Sequence, residues 1–146
     1  GEGSEKKKLQ QIIDDFDANS YIHLKGHVDL TEVYKSYQLY LSGSTSEGFG
    51  LTLMEAVGSG LGMIGFDVYY GNTTFIKDGI NGFRISLDTS NLDEDDIVAN
   101  ISKKIVLFFE HNIEQMRDQS YKIADKYLIE NIQKEWQTLI DEVEND

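Results

Sequence analysis

The stretch STSEGFGLTLMEAVGSGLGMIGFDV, residues 44–68, decides the fold class of this chain. Its last part, LGMIGFDV, is an apolar run with the length of a buried strand. Two glycines, Gly48 and Gly50, stand directly before an apolar segment from Leu51 to about Val57 that predicts a helix. Because the strand-like QLYLSGS precedes the glycines, the pattern predicts strand, turn, helix and strand, which is the repeating unit of a parallel α/β sheet.

Strands and helices alternate along the rest of the chain. We predict strands at residues 21–26, 38–44, 61–68 and 82–87. The predicted helices cover residues 31–37, 51–57, 73–79, 91–111, 113–127 and 129–143. This alternation predicts the α/β class, a Rossmann-like parallel sheet with helices on both faces. Residues 1–146 contain no linker, repeat or low-complexity tract, so we expect one domain, present only in part.

The long helix at residues 91–111 has a recognisable start and one apolar face. Asn91 or Asp93 is the expected N-cap, and acidic residues fill the first turn, where the helix dipole favours them. The buried face is predicted to carry Ile97, Ile101, Ile105 and either Phe108 or Phe109.

The chain opens with GEGSEKKKLQQIIDDFD, in which Gly1 and Gly3 resemble a strand-to-helix turn and Ser4 is the expected N-cap. Because parallel strands normally lie inside a sheet, we expect that a strand and a whole further domain precede Gly1, so that the chain is a fragment truncated at its N-terminal side. An exposed sheet edge would then favour dimerisation of the fragment. The alternative is a glycine-rich start that leads directly into an amphipathic helix. The apolar stripe of that helix consists of Leu9, Ile12, Ile13 and Phe16.

The composition restricts the classes of function. The 146 residues carry a net charge of −13, which argues against a nucleic-acid partner, because phosphate backbones require clustered Lys and Arg. There is no cysteine, which excludes disulfides and thiolate metal sites. No apolar run approaches the roughly 18 residues of a membrane helix and no signal peptide is visible, so we expect a soluble, cytoplasmic protein. An anionic ligand would need positive potential from helix N-termini or from groups outside the chain.

Three weaker patterns do not predict a site by themselves. GEG at residues 1–3 lacks the third glycine of a dinucleotide-binding fingerprint, because Lys6 stands in its place. Asp15 and Asp17 form a D-x-D, but the helical spacing before them predicts a solvated helix end instead of a metal site. The three histidines are not spaced as metal ligands. Of these, His27 lies in a loop after a predicted strand, where open α/β sheets collect ligands.

The strongest constellation is a pair of carboxylates, Glu47 and Glu55, on either side of the glycine turn. Gly48 and Gly50 allow the backbone to approach a ligand or to adopt a positive φ. The first amides of the following helix have no intrahelical partners, so they can cradle an anion. A carboxylate at each end can accept hydrogen bonds from two hydroxyls of a sugar or a ribose. The arrangement suits a ligand with a phosphate flanked by polyols.

A second interpretation of these residues needs no ligand. Thr52 and Glu55 match a capping box, in which both side chains bond to backbone amides at the start of the helix. Glu47 would then be an ordinary surface acid. Gly58 and Gly60 fit the end of the helix under either interpretation. The residues alone leave both open.

The pattern also resembles a known family. SGSTSEGFGLTLMEAVGSGLGMIGFDVYYGNTTFIKDGINGF resembles the C-terminal nucleotide-sugar domain of retaining glycosyltransferases of the GT-B fold, in the large family 4. Two glutamates separated by seven residues are the donor-site motif of that family. IHLKGHVDLTEVYKSYQLYLSGS and YLIENIQKEWQTLI resemble the neighbouring elements, so the resemblance covers nearly the whole chain. Within the family it looks closest to two Gram-positive groups: accessory Sec-system N-acetylglucosaminyltransferases that modify serine-rich adhesins, and teichoic-acid glucosyltransferases.

The resemblance implies a role for each residue of the site. Glu47 is implied to be the catalytic residue, and no metal or other cofactor is expected beside the UDP-sugar substrate. The implied contacts are, for the donor sugar, Glu47, Gly48, Phe49 and Gly50; for the diphosphate, Leu51 and Thr52; for the ribose, Glu55; and for the uracil ring, His27 and Val28.

The chain departs from the family at two positions and lacks two of its parts. Gly62 stands where the family usually has proline, and Thr73 where proline is frequent; we expect both changes to be tolerated. The Arg and Lys that grip the diphosphate in the family would precede Gly1, and the acceptor-binding half is a separate domain. We therefore expect the cationic part of the site to lie outside the chain.

The resemblance implies that the parent protein transfers N-acetylglucosamine or glucose from a UDP-sugar to a protein Ser/Thr or a polyol hydroxyl. The chain alone is expected to be inactive. For the parent, a protein or teichoic-acid-type acceptor, a partner glycosyltransferase-like subunit and peripheral association with a membrane are implied. Two rival hypotheses remain: a non-catalytic glycosyltransferase-like subunit that binds glycoprotein, and a flavodoxin-like domain with a complete five-stranded sheet and a fortuitous glutamate spacing.

Overall fold

A computed structural model of the chain describes residues 2–87 and 93–145. The chain divides into two compact units, Gly1–Val33 and Tyr34–Asp146. The predicted turn at Gly1 and the alternative cap at Asn91 lie outside the described residues.

The first unit holds helix α1 (Lys6–Asp15) and a short 3-10 helix (Ala18–Ser20). The N-cap predicted at Ser4 is wrong, because the cap position is Glu5 and no side chain there caps the helix. The Lys6 amide instead donates to the backbone oxygen of Gly3 at 3.2 Å, so a main-chain turn leads into the helix. Of the predicted apolar stripe, Ile13 is buried, whereas three members are exposed: Leu9, Ile12 and Phe16.

The strand predicted at residues 21–26 is wrong, because the structure shows neither helix nor strand there. Alternating apolar residues are typical of a half-buried strand, but Tyr21 and Ile22 are exposed. A strand exists only through hydrogen bonds to a neighbouring strand. No ladder among the described residues includes this segment.

The second unit contains a parallel three-stranded sheet in the order β1 (Leu39–Ser42), β2 (Gly62–Phe66), β3 (Gly82–Ile85). In the register, Leu41 pairs with Ile64, and Ile64 pairs with Phe83. Every residue of β2 is buried, as expected for the central strand of a parallel sheet. All three strands were predicted from their apolar runs; each predicted strand ends two residues too late, and those of β1 and β2 also begin one residue too early.

The helices follow the predicted order, with α2 (Leu30–Tyr34) leading from the first unit into the second. The others are α3 (Leu51–Gly58), α4 (Gly71–Phe75), α5 (Glu94–Glu110), α6 (Ile113–Asp125) and α7 (Ile129–Asn145). Among the described residues, no helix combines the length and the apolar character needed to cross a membrane.

Helices cover both faces of the sheet. Side chains alternate along β2, so Ile64 and Phe66 face one side, where they share a core cluster with Phe108 of α5. Gly65 faces the other side, where a Cβ would lie 3.1 Å from Nδ2 of Asn72 in α4. The predicted fold class, a Rossmann-like α/β sheet with helices on both faces, is confirmed.

Helix α5 begins and packs largely as predicted. The Asp93 carboxylate caps it by accepting a hydrogen bond from the Asp96 amide at 2.9 Å. Of the two candidate phenylalanines, Phe108 is fully buried and Phe109 is exposed. The Phe108 ring lies so close to Gly62 that a Cβ there would overlap it. The ring thus occupies the space that a proline would need at this position.

Candidate functional site

The loop from β1 to α3 carries Glu47 to the carboxyl edge of the sheet. Glu47 follows β1 by five residues and is half-buried. Gly50, at the N-cap of α3, has φ 83° and ψ 67°, a left-handed conformation that other residues adopt only with strain. Since glycine has no side chain to cap the helix, the first amides of α3, those of Leu51 and Thr52, point out of the helix without an intrahelical partner.

The position of the helix start decides against the capping box. Thr52 is the second residue inside α3, so its hydroxyl cannot act as the N-cap of this helix. That hydroxyl instead accepts a hydrogen bond from Tyr40 Oη at 3.2 Å. Glu55 lies one turn further along the helix and is exposed to solvent. Neither the Glu55 side chain nor the first amides of α3 are therefore engaged in a capping box.

Two tyrosines that the sequence analysis did not single out brace the first turn of α3. Tyr34 and Tyr40 meet edge to face, with ring centroids 6.0 Å apart. The Tyr34 hydroxyl, which is buried, donates a long hydrogen bond of 3.4 Å to the backbone oxygen of Thr52. Burial, and to a lesser extent Tyr40 and Glu55, raise the pKa of Tyr34 to about 12. Tyr34 is the last residue of α2 and Tyr40 lies in β1, so neither the helical nor the strand periodicity relates the two tyrosines in the sequence.

The backbone of Glu47 is held from the next loop along the sheet. The Tyr70 amide donates to the Glu47 backbone oxygen at 2.9 Å, in an isolated parallel bridge. Gly71 then passes directly beside the loop, since a Cβ there would lie 2.7 Å from the Phe49 backbone oxygen and 3.1 Å from Glu47 Cβ. The close approach requires glycine at position 71, which the sequence analysis did not recognise.

The side chain of Phe49 packs in an aromatic cluster, although part of it is exposed. Its ring lies 5.3 Å from that of Phe75 and 5.9 Å from that of Tyr127, both edge to face. Such pairs stabilise beyond the area that they bury. Gly48, in contrast, lies beside open space, because a Cβ there would meet nothing within 4 Å. The loop is thus fixed at Phe49 and open at Gly48.

The remaining predicted site residues, His27 and Val28, lie in the first unit. His27 is exposed and Val28 is half-buried, in a segment without helix or strand just before α2.

The weaker motifs behave as solvated surface. Asp15 ends α1 and accepts a hydrogen bond from the Gln11 side chain, and both it and Asp17 are exposed, which confirms the predicted helix end. His111 follows α5 and lies 2.7 Å from the Leu107 backbone oxygen through Nδ1. In residues 2–87 and 93–145, no group of three or more His, Cys, Asp or Glu side chains is placed to hold a metal ion.

Two curated relatives resemble the chain along nearly its whole length. The GtfA subunit of the UDP-N-acetylglucosamine–peptide N-acetylglucosaminyltransferase of Streptococcus gordonii is 49% identical over 146 residues, which are 100% of this chain and 29% of that protein. The poly(ribitol-phosphate) α-N-acetylglucosaminyltransferase of Staphylococcus aureus is 31% identical over 140 residues, or 95% of this chain and 27% of that protein. The chain thus spans less than a third of the length of either relative.

Two solved structures share the fold. The pneumococcal O-GlcNAc transferase GtfA, in complex with UDP and GlcNAc, superposes with a TM-score of 0.83 at 46% identity over 99% of this chain and 28% of that chain. A GtfA/B complex superposes with a TM-score of 0.87 at 51% identity, again over 99% of this chain and 29% of that one.

The sequence profile of one family, the glycosyl transferases group 1, matches residues 1–122. The matched range contains the whole sheet, the glycine turn, both glutamates and the start of α3. The parallel sheet, the two-glutamate loop and the profile agree: the chain belongs to the glycosyl transferases group 1.

Proposed function

We propose that this chain forms the donor-binding part of a retaining glycosyltransferase that transfers N-acetylglucosamine from UDP-N-acetylglucosamine to a protein Ser or Thr hydroxyl. The observation that carries the proposal is the arrangement around α3. Glu47 and Glu55 stand on either side of a helix N-terminus whose first amides have no partner within the helix. A UDP-sugar has the matching sequence of groups, a diphosphate between two polyols.

Each part of the donor then has a chemically suited partner. The diphosphate lies over the amides of Leu51 and Thr52, where the helix dipole favours negative charge. The Glu47 carboxylate accepts hydrogen bonds from the donor-sugar hydroxyls, and the exposed backbone at Gly48 lets the ring approach closely. Glu55 accepts hydrogen bonds from the ribose hydroxyls. His27 and Val28 belong to the first unit, and the contact with the uracil ring that the family resemblance implies for them stays a prediction.

The reaction needs a good leaving group and a fixed donor. As the bond from the anomeric carbon to the diphosphate breaks, negative charge grows on the leaving UDP, and the α3 amides stabilise it without reorganising. Glu47 orients the sugar so that the acceptor oxygen forms the new bond on the face that the leaving group vacates, and the acceptor hydroxyl gives its proton to an oxygen of the departing diphosphate. We expect basic residues of the parent protein, outside this chain, to share the charge, and no metal ion to take part.

The relatives support this choice of sugar and acceptor. The streptococcal relative, at 49% identity, is by its name an N-acetylglucosaminyltransferase acting on peptide. The staphylococcal relative, which acts on poly(ribitol-phosphate), is less similar at 31%. The GtfA/B complex supports a second subunit as partner of the parent protein. A protein acceptor therefore ranks above a teichoic-acid-type acceptor.

Two substitutions in the full-length parent test the proposal. Glu47→Gln should lower kcat by at least about ten-fold, because an amide replaces a charged acceptor on the reacting sugar. Glu55→Ala should raise the KM for UDP-N-acetylglucosamine by about ten-fold or more, through lost hydrogen bonds to the ribose. Glu110→Gln, at an exposed acid that ends α5, is the matched control and should behave as wild type. Wild-type kinetics in both site variants would refute the assigned roles.

A further inference from the structure

Residues 70–72, here called the 70–72 strap, connect the end of β2 to the loop that carries Glu47. At one end of the strap the Tyr70 amide donates to the Glu47 backbone oxygen at 2.9 Å. In the middle, Gly71 is buried against the Phe49 backbone oxygen and Glu47 Cβ. At the other end, the Asn72 side chain donates from Nδ2 to the Phe66 backbone oxygen at 2.8 Å. The position of the Glu47 loop relative to the sheet therefore depends on this short segment.

Asn72 is fully buried but only half of its amide is used. Nδ2 is bonded to Phe66, whereas Oδ1 is buried and has no hydrogen-bond partner among the described residues. A buried acceptor without a partner costs free energy, which offsets part of the stability that the hydrogen bond to Phe66 contributes. The hydrogen bond from the Asn72 side chain to the Phe66 backbone oxygen also fixes the point at which the strap leaves the sheet.

A second buried asparagine in the same unit shows the contrast. Asn81 is also fully buried, but both ends of its amide are bonded. Its Oδ1 accepts from the Lys77 amide at 2.8 Å, and its Nδ2 donates to the Phe75 backbone oxygen at 3.0 Å and to Ser120 Oγ at 3.2 Å. This is a satisfied structural network next to the start of β3, away from the loop of Glu47.

We propose that Asn72 is a positioning residue for the donor-sugar end of the site, acting through the 70–72 strap on the backbone of Glu47. The inference rests on the proposed function, which places the sugar at Glu47 and the ribose at Glu55. The start of α3 touches the strap, where Gly71 lies beside the Leu53 side chain, but it has a second brace in the tyrosine pair that bonds to Thr52. Loss of the Asn72 bond should therefore disturb turnover and leave UDP binding intact.

The experiment compares Asn72→Ala with Asn81→Ala in the full-length parent. Asn72→Ala should lower kcat with the UDP-sugar by about ten-fold or more, since small misplacements of a reacting group have effects of this size. Its affinity for UDP alone should stay within about two-fold of wild type. Asn81→Ala should lose comparable or greater stability, measured by thermal unfolding, while its kcat stays near that of wild type.

Hydrogen exchange of the loop provides a readout that needs no activity. Amides of residues 44–53 should exchange faster in Asn72→Ala than in wild type. Their exchange rates should not change in Asn81→Ala. If Asn72→Ala does not fold, Asn72→Ser, which removes less volume, replaces it. Wild-type kcat and loop exchange in a folded Asn72 variant would overturn the proposal, as would unfolding of both Asn72 variants while Asn81→Ala folds. Absence of UDP binding in the wild-type parent would instead refute the proposed function. The hydrogen-exchange result would then still show whether Asn72 positions the loop of Glu47.

Discussion

Tyr34 is the ionisable side chain that most directly links the fold to the candidate site. Its hydroxyl is buried beneath the first turn of α3 and donates to the backbone of Thr52. Its ring meets Tyr40, whose hydroxyl donates to the Thr52 side chain. The pair holds the helix start in place from the side of the strand, so the α3 amides do not have to be ordered by a ligand.

The raised pKa of Tyr34 predicts a loss of stability in alkaline solution. The pKa is about 12 in the fold against an ordinary value of 10, mainly through burial. Above pH 10 the unfolded chain releases a proton that the folded chain retains, so the contribution of Tyr34 is complete below pH 10 and is lost as the pH rises through 12. Urea unfolding from pH 8 to pH 12 should show this loss in wild type and less of it in Tyr34→Phe.

The control for this measurement is Tyr37→Phe, at a tyrosine that is exposed next to the same segment. Both variants are compared for the loss of unfolding free energy at alkaline pH. The part of this loss that disappears in Tyr34→Phe but persists in Tyr37→Phe is the contribution of Tyr34. Equal pH dependence in both variants would contradict the burial argument.

At the same scale, the residues of the candidate site differ in how readily the sequence reveals them. Glu47, Glu55 and the glycine turn stand close together in the chain and follow from the motif. Gly71 and Asn72 do not, because their contacts reach back to residues 47–49 and 66 across the sheet edge. Contacts of this kind depend on which strands are neighbours, and no local periodicity encodes them.

At the scale of elements, α3 has a glycine in the left-handed conformation beyond each end. Gly50 precedes it with φ 83°, and Gly60 follows with φ 78°. The Gly60 amide donates to Val57 and the Leu61 amide to Ala56, which is a Schellman ending. The predicted helix end at Gly58 and Gly60 is confirmed. The helix is thus confined to eight residues, and its start stays at the site.

Two glycine-to-alanine substitutions at this helix end should have opposite effects. Gly60→Ala should destabilise the fold by about 1–2 kcal/mol, because alanine resists a positive φ and its Cβ would lie 2.5 Å from the Tyr121 ring. Gly58→Ala changes the last residue of the helix, where the new Cβ would lie 4.0 Å from Ala124 Cβ, and should stabilise the fold by about 0.5–1 kcal/mol. Urea unfolding of both variants measures the difference, and a stability gain in Gly60→Ala would refute the assigned ending.

The elements also show where pattern reasoning succeeds. Strands β1, β2 and β3 lie in a sheet, so their apolar runs reflect real burial and were recognised. Residues 21–26 have the same alternation but no partner strand in the described part of the chain, and the prediction failed there. Helix α4 begins at Gly71, two residues earlier than predicted, because the buried contacts of Gly71 and Asn72 draw the chain into a turn. Tertiary contacts thus determine where helices and strands end, and whether an alternating segment forms a strand at all, which a local sequence pattern cannot predict.

At the scale of the whole molecule, charge and family membership give the candidate site its context. The chain carries a net charge of −13, which repels an anionic ligand, so binding must come from oriented amides and hydrogen bonds at α3. The chain also spans only 29% of its streptococcal relative. We therefore expect the chain alone to bind UDP weakly and to show no transfer, and the parent to bind it more tightly.

A UDP titration of the ¹⁵N-labelled chain, followed by amide chemical shifts, tests the central claim most directly. With UDP up to roughly 5 mM, a concentration that reveals weak binding, shifts should concentrate at residues 47–55 and at His27 and Val28. Glu55→Ala should reduce them, whereas Glu110→Gln should not. Shifts confined to other parts of the chain, or none across this range, would contradict the assignment of a nucleotide-sugar site to the start of α3.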